Sequence, residues 1–167
     1  MGKKIPFTYV PMRNTFFIVC NAAYIESQIL KKIETEHIKP KYIQASIFLA
    51  VNSIDYSNYP DCRPNFIRQI ERLLQNASKA GVFYKIPIHL NTPLINMSKK
   101  EITELGIQLN APLHLTQTCY VGEKKACGKC PSCLLRIKGF KDANYIDPIS
   151  YDVPIDWTGC KPIKKRI

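Results

Sequence analysis

Between Arg13 and about Glu36, apolar residues return at the three- and four-residue spacing of a helix. Phe16, Phe17, Val19, Cys20, Ala23, Tyr24, Ile29, Leu30 and Ile33 stand against Glu26, Gln28, Lys31 and Lys32. The pattern predicts one long amphipathic helix with that apolar face inward and Cys20 as a small core residue on it. Pro40 breaks the pattern, and Tyr42 to Val51 is a β-branched and aromatic run without charges, as expected of a strand buried on both faces. A polar loop through Ser53 to Pro64 leads to Phe66, Ile67, Ile70, Leu73 and Leu74, a second amphipathic helix closing near Gly81. In Tyr84 to Leu90, Tyr84, Ile86, Ile88 and Leu90 alternate with Lys85, Pro87 and His89, which predicts a strand with one more exposed face and, from the proline, an edge or end position. Ser98 with Glu101 three residues on is a capping-box signature that opens a helix through Ile102, Leu105 and Leu109. A cluster of cysteines follows, then a helix from near Ser132, then an irregular stretch from about Ser150.

Helix, strand, helix, strand, helix fits the α/β class: part of a doubly wound parallel sheet flanked by helices. Two strands are few for such a sheet. Either short strands escape the pattern, or the sheet takes further strands from another chain.

The length of 167 residues and the share of apolar residues allow a proper core, and without repeats or a Gly/Ser linker the default is one compact domain. The formal net charge of +11 makes affinity for phosphates, nucleotides or nucleic acid physically reasonable without choosing among them. Its basic residues are scattered, in Lys31-Lys32, Lys99-Lys100, Lys124-Lys125 and Lys164-Lys165-Arg166, as on a solvated surface. The apolar run Phe16 to Cys20 after Lys3 and Lys4 is too short for a secretion signal and follows Arg13 and Asn14 directly, and no segment approaches the length of a membrane span. The expectation is a soluble, cytoplasmic protein.

Seven cysteines, four of them between Cys119 and Cys133, suit metal ligation in a reducing compartment better than a disulfide framework. Cys119, Cys127, Cys130 and Cys133 follow the spacing C-x7-C-x2-C-x2-C, with Gly128 and Pro131 inside the short loops. Zn2+ gathers thiolates tetrahedrally at about 2.3 Å, and two-residue spacers let a tight turn aim neighbouring sulfurs at one point. Four thiolates close the coordination sphere, so the metal is expected to be structural, tying the loop at Thr118 to the helix near Ser132. An iron–sulfur cluster, a redox C-x-x-C pair and unrelated thiols are the alternatives; Lys124, Lys125 and Lys129 would offset the charge of a thiolate centre. Cys20, Cys62 and Cys160 fall outside the spacing, Cys62 has no histidine close in sequence to activate it, and His37, His89 and His114 read as surface or structural residues.

The run Cys127-Gly128-Lys129-Cys130-Pro131-Ser132-Cys133-Leu134-Leu135-Arg136, ending in Lys138-Gly139-Phe140, resembles the zinc segment of the 7-cyano-7-deazaguanine synthase family. Val10-Pro11-Met12-Arg13-Asn14 resembles that family's Val-Pro-Gly-Arg-Asn, and Asp55-Tyr56-Ser57-Asn58-Tyr59-Pro60-Asp61-Cys62-Arg63-Pro64 its Asp-Tyr-Ser-Gly-Tyr-Pro-Asp-Cys-Arg-Pro; Thr92-Pro93-Leu94 with Ser98-Lys99 is also in register. The blocks run in family order from about Tyr9 to Pro148. Met12 and Asn58 stand where the family has Gly, and Gln117-Thr118 where Trp-Ser is usual; losing Gly at a tight approach shifts how closely a ligand docks.

The resemblance implies ATP-dependent conversion of 7-carboxy-7-deazaguanine and ammonia to the nitrile, with ATP as co-substrate and structural Zn2+. It implies substrate binding by Arg13, Asn14, Asp55, Tyr59, Asp61 and Arg63, with Asp61 or Asp55 accepting from the guanine-like edge, and a phosphate-neutralising catalytic role for Lys99. From the residues alone, the Asp/Ser/Asn/Pro-rich turn equally caps the next helix, and Lys99 equally is an exposed first-turn lysine. The family opens with a phosphate-cradling Ser-Gly-Gly-x-Asp-Ser loop well ahead of the Val-Pro-Gly-Arg-Asn block, and this sequence starts just before that block. The expectation is therefore a C-terminal part, residues 1–149 with the zinc segment at 119–133 and an irregular basic tail at 150–167, acting as a truncated or split subunit that needs an N-terminal partner chain. The resemblance also suggests a homodimer. The rival reading is a zinc-stabilised, non-catalytic binding module for a deazaguanine or for nucleic acid, the latter disfavoured because aromatic residues are not interleaved with the basic clusters.

Overall fold

The computed structural model describes residues 9–52, 59–121 and 124–163. The chain folds as two compact units, Met1–Asn96 and Met97–Ile167, and no change of composition marks the boundary.

In the first unit, helix α1 (Arg13–Leu30) runs on through one π turn, Lys31–Thr35, in which the Glu36 amide reaches back to the Lys31 carbonyl. Strand β1 (Ala45–Phe48) follows a short 3-10 turn at Pro40–Tyr42. A second 3-10 turn, Pro60–Cys62, leads into α2 (Pro64–Ala77), with proline at the first helical position, where its missing N–H costs nothing. Ser78 ends α2 and caps the one-turn α3 (Lys79–Val82) by accepting from the Gly81 amide. Strand β2 (Ile88–Asn91) pairs parallel with β1, Ala45 opposite Ile88 and Phe48 opposite Asn91. The core lies on one face of this pair, where Ala45, Ile47, Ile88 and Leu90 meet Ile18, Ala22 and Ile29 of α1 and Ile67, Ile70 and Leu74 of α2. This is a parallel sheet flanked by helices, as expected, with two strands among the described residues.

Two details correct the reading of the pattern. The long helix is present, but its buried face is Ile18, Ala22 and Ile29, while Phe16, Phe17, Val19, Cys20, Ala23 and Tyr24 point outward, Phe16 and Tyr24 being 64% and 66% exposed. No charge stands between Asn14 and Ile25, so the helix is apolar nearly all round and the pattern does not select a side; the core takes the aliphatic stripe that packs on β1 and α2. Strand β1 is shorter than the uncharged run and buried on one face only, with Phe48 73% exposed.

The edges of the sheet differ. At β2 the Leu90 amide donates to Glu71 Oε1 of α2 at 3.3 Å, and His89 Nδ1 lies 3.0 Å from the same oxygen, so a side chain covers that edge. Between α1 and β1 a groove of about 230 Å³ is lined by the apolar Ile25, Ile29, Ile43 and Ala45 and by the polar Gln28, Lys32, Gln44 and Ser46.

The second unit holds α4 (Lys99–Gln108), α5 (Pro131–Asp142) and the cysteine cluster. The capping box at α4 forms as read: Ser98 Oγ accepts from the Glu101 amide at 3.3 Å and Glu101 Oε2 takes the Ser98 amide at 2.7 Å. Helices α4 and α5 cross closely, because a Cβ on Gly139 would lie 2.8 Å from Lys99 Cβ. Residues 150–163 form parallel bridges, Tyr151 to Ala126 and Lys161 to Tyr145, and half-buried Trp157 lies with Lys141 Nζ 6.0 Å from its ring centre.

Candidate metal centre and ligand residues

The four sulfurs of Cys119, Cys127, Cys130 and Cys133 lie within 4.8 Å of one another. Tetrahedral zinc with ~2.3 Å bonds sets sulfurs ~3.8 Å apart, and Cys127 and Cys133 stand at 3.9 Å. The local chain explains the gathering. Gly128 takes φ +70°, a left-handed turn that suits glycine, and this folds Lys129 and Cys130 so that their amides point at Cys127 Sγ, at 3.4 and 3.3 Å. Cys130 is the N-cap of α5, its sulfur accepting from the Cys133 amide at 3.4 Å. Cys119 Sγ accepts from the amides of Cys127 and Val121, at 3.3 and 3.4 Å.

Those amides favour thiolate. They hold the Cys119 thiol down at about 6, the Cys127 N–H being the largest cause. At Cys130 burial opposes ionisation, but N–H groups of Tyr120 and Cys133 outweigh it and the net shift is downward. Burial pushes Cys133 up to about 12. A divalent cation among four such donors would favour the ionised form of all of them, so the set fits the metal the spacing implied.

The first unit brings together part of the expected substrate site. Asn14, in the first turn of α1, donates its backbone N–H to Asp61 Oδ2 at 3.1 Å and its side-chain amide to the Asp61 carbonyl at 3.1 Å and to Cys62 Sγ at 3.3 Å. Asp61 and Cys62 are both buried, and one Asp61 carboxylate oxygen is thus engaged at the start of α1. Burial, then the Asp61 carboxylate, push the Cys62 thiol up, the opposite of an activated nucleophile. Tyr59 stacks on Tyr9 with ring centres 5.7 Å apart, and Arg13 and Arg63, next in sequence to Asn14 and Cys62, are exposed. Lys99 belongs to the second unit, at the first position of α4. Asp55 lies outside the described residues.

Reading along the sequence misses a buried cluster beside the sulfurs. Arg136 of α5 pairs with Asp147 through Nε to Oδ2 at 2.5 Å and a second nitrogen to Oδ1 at 2.9 Å, and Tyr151 donates to Asp147 Oδ2 at 2.7 Å. Burial and the Asp147 hydrogen bond push the Tyr151 hydroxyl far up, and the Asp147 contacts hold Arg136 above its ordinary value despite its burial.

The family model described as Queuosine biosynthesis protein QueC matches residues 1–144. The chain belongs to the QueC family. The 7-cyano-7-deazaguanine synthase of Acetivibrio thermocellus is 48% identical over 147 residues, 88% of this chain and 60% of that protein. That of Thermoplasma volcanium is 44% identical over 149 residues, 89% of this chain and 55% of that protein. That of Nostoc sp. is 39% identical over 151 residues, 90% and 59% respectively. The chain therefore spans little more than half the length of these QueC relatives, all named as synthases. The four-thiol cluster and the Asn14–Asp61–Cys62 knot both fall inside the QueC match. No helix among the described residues is long and apolar enough to cross a membrane.

Proposed function

We propose that this chain supplies the zinc-bearing, base-reading part of a 7-cyano-7-deazaguanine synthase. The identity to named synthases over nearly nine-tenths of the chain carries the reading. In the proposed reaction the carboxylate of 7-carboxy-7-deazaguanine attacks the α-phosphorus of ATP and releases pyrophosphate. Ammonia then displaces AMP to give the amide. The amide oxygen is adenylated in turn, with loss of a second pyrophosphate, and departure of AMP with two protons leaves the nitrile. The adenylate makes each oxygen a good leaving group, so the chain's residues have to orient and neutralise. Arg13 and Arg63, exposed about the first turns of α1 and α2, would face the anionic groups. Asn14, Tyr59, Asp61 and Asp55 would hold the base, and Lys99 would neutralise phosphate in the transition state. The metal, closed by four thiolates, would be structural.

The phosphate-gripping part would come from the region that the relatives carry outside the match, as a partner chain or segment. The β1 edge is the seat this reading gives it. Parallel strands are ordinarily covered on both faces, Glu71 already occupies the β2 edge, and a groove of mixed apolar and polar lining runs beside β1. A homodimer of the completed enzyme and a cytoplasmic location belong to the same proposal.

The test is reconstitution: the zinc-loaded chain is mixed with the unmatched region of the A. thermocellus synthase and assayed for nitrile with ATP, ammonia and the carboxylate. Nitrile formation, lost in Asp61→Ala, is expected. A complex that forms yet makes no amide or nitrile at saturating ATP and ammonia refutes the proposal.

A further inference from the structure

The family model ends at residue 144, and the segment just after it is hydrogen-bonded to the stretches that carry the cysteines. Asp147 has a fully buried side chain, and its two oxygens take four donors: Nε and a terminal nitrogen of Arg136, the Tyr151 hydroxyl and the Ile149 amide. Arg136, one turn beyond Cys133, spends its remaining donors on Thr116 Oγ1 at 2.7 Å, the Thr116 carbonyl at 3.4 Å and the Leu113 carbonyl at 3.2 Å, and so grips the chain three residues before Cys119. Ala126, directly before Cys127, donates to the Ser150 carbonyl at 3.0 Å and accepts from the Asp152 amide at 2.9 Å. Val153 lies so close to the turn that a Cβ on Gly128 would stand 2.5 Å from its Cγ2. Residues 147–153 therefore hold the flanks of Cys119, Cys127 and Cys133.

We propose that Asp147 and Tyr151, acting through Arg136 and Thr116, are positioning residues of the metal centre: they form a strap that sets the sulfur-bearing segments at ligand spacing before Zn2+ arrives. None of the four is a ligand. Arg136 does not act by offsetting the thiolate charge, since its guanidinium is matched by Asp147. Its part is geometric: two carbonyls, a hydroxyl and a carboxylate fix where the Cys119 segment lies against α5. Loosening the strap leaves the ordering of that segment to be drawn from metal binding, as when outer partners of metal ligands are removed at a cost of about 10- to 100-fold in affinity. The proposal rests on the four-thiol reading of the centre.

The experiment is chelator competition for Zn2+ on the full chain, with Co2+ absorption as the signature of sulfur ligation. Asp147→Asn should bind Zn2+ about 10- to 100-fold more weakly, and Tyr151→Phe and Thr116→Val several-fold more weakly. All should keep a four-sulfur tetrahedral Co2+ spectrum, because the ligands are intact. If Asp147→Asn fails to fold, the two milder variants carry the test. Thr103→Val, in the same unit on α4 and apart from the strap, is the control for general destabilisation. Wild-type affinity in the strap variants overturns the proposal, as does a loss no larger than that of Thr103→Val at the same lowering of the metal-free thermal midpoint. Failure of the wild-type chain to bind Zn2+ overturns the four-thiol reading as well, which separates the two.

Discussion

Met12 holds the N-cap of α1 at φ 59°, ψ 14°, with no side-chain cap bond and 62% of its surface exposed. The left-handed region brings Cβ against the following carbonyl at about 1–2 kcal/mol for an L residue. Glycine escapes that clash but gives back roughly 0.5–1 kcal/mol through its larger freedom in the unfolded chain. Met12→Ala and Met12→Gly both delete the mostly exposed side chain and differ only in Cβ, so their comparison isolates the strain. Met12→Gly should be the more stable by roughly 0.5–1 kcal/mol, read as a higher urea midpoint at unchanged slope, followed by far-ultraviolet circular dichroism. Against wild type, Met12→Gly should be neutral or slightly stabilising, the relieved strain being partly offset by lost side-chain contacts. An alanine variant as stable as the glycine variant would show that residue 12 is not held left-handed in solution, and the argument from φ would fall. The resemblance bears on this position too, because the family's glycine is the residue this backbone asks for.

Removal of the metal by a strong chelator should unfold the Cys119–Cys133 segment and fray the start of α5, seen as lost helical ellipticity and reversed by Zn2+; unchanged ellipticity and protease resistance would show that the metal does not organise this unit. Gly139→Ala should destabilise by about 1–3 kcal/mol, since the new Cβ meets Lys99 Cβ at 2.8 Å and the Lys99 carbonyl at 3.1 Å, outweighing a helix-propensity gain of about 1 kcal/mol; a raised thermal midpoint would refute the close crossing. Glu34 accepts from Lys79 Nζ at 2.6 Å and Tyr84 OH at 2.7 Å, and these bonds hold its carboxyl below the ordinary 4.5. The native state thus favours the ionised form, so the contribution is complete above that value and disappears as pH falls through the lowered one. The midpoint of Glu34→Gln should lie below wild type at neutral pH and converge with it in acid; a gap that persists or widens there would contradict the linkage.

The gathering of the four sulfurs was legible because its information is local: four thiols at short, fixed spacing with Gly128 and Pro131 in the turns. The parallel sheet flanked by helices was legible from alternating periods, and the α4 capping box from Ser98 and Glu101 alone. What stayed hidden depends on distant partners. Asn14 to Ile25 carries no charge, so only the packing of β1 and α2 decides that Ile18 and Ala22 go inward and Phe16 outward. The uncharged run at β1 reads as doubly buried because sequence does not say how many layers will cover it. Arg136 looks like one more surface cation on α5 until the fold brings Asp147 and Thr116 to it. The stretch after Ser150 has no periodicity, and its order comes from single bridges to Ala126 and Tyr145.

Trp157 is the sole tryptophan of the chain and sits in the second unit, within reach of Lys141 at the end of α5. Excitation at the red edge of tyrosine absorption therefore lights up one unit alone. Emission from that indole tracks melting of the unit that carries the four cysteines, while helical ellipticity sums over both, and any gap between the two curves in a single cuvette measures how far the halves of this chain unfold independently.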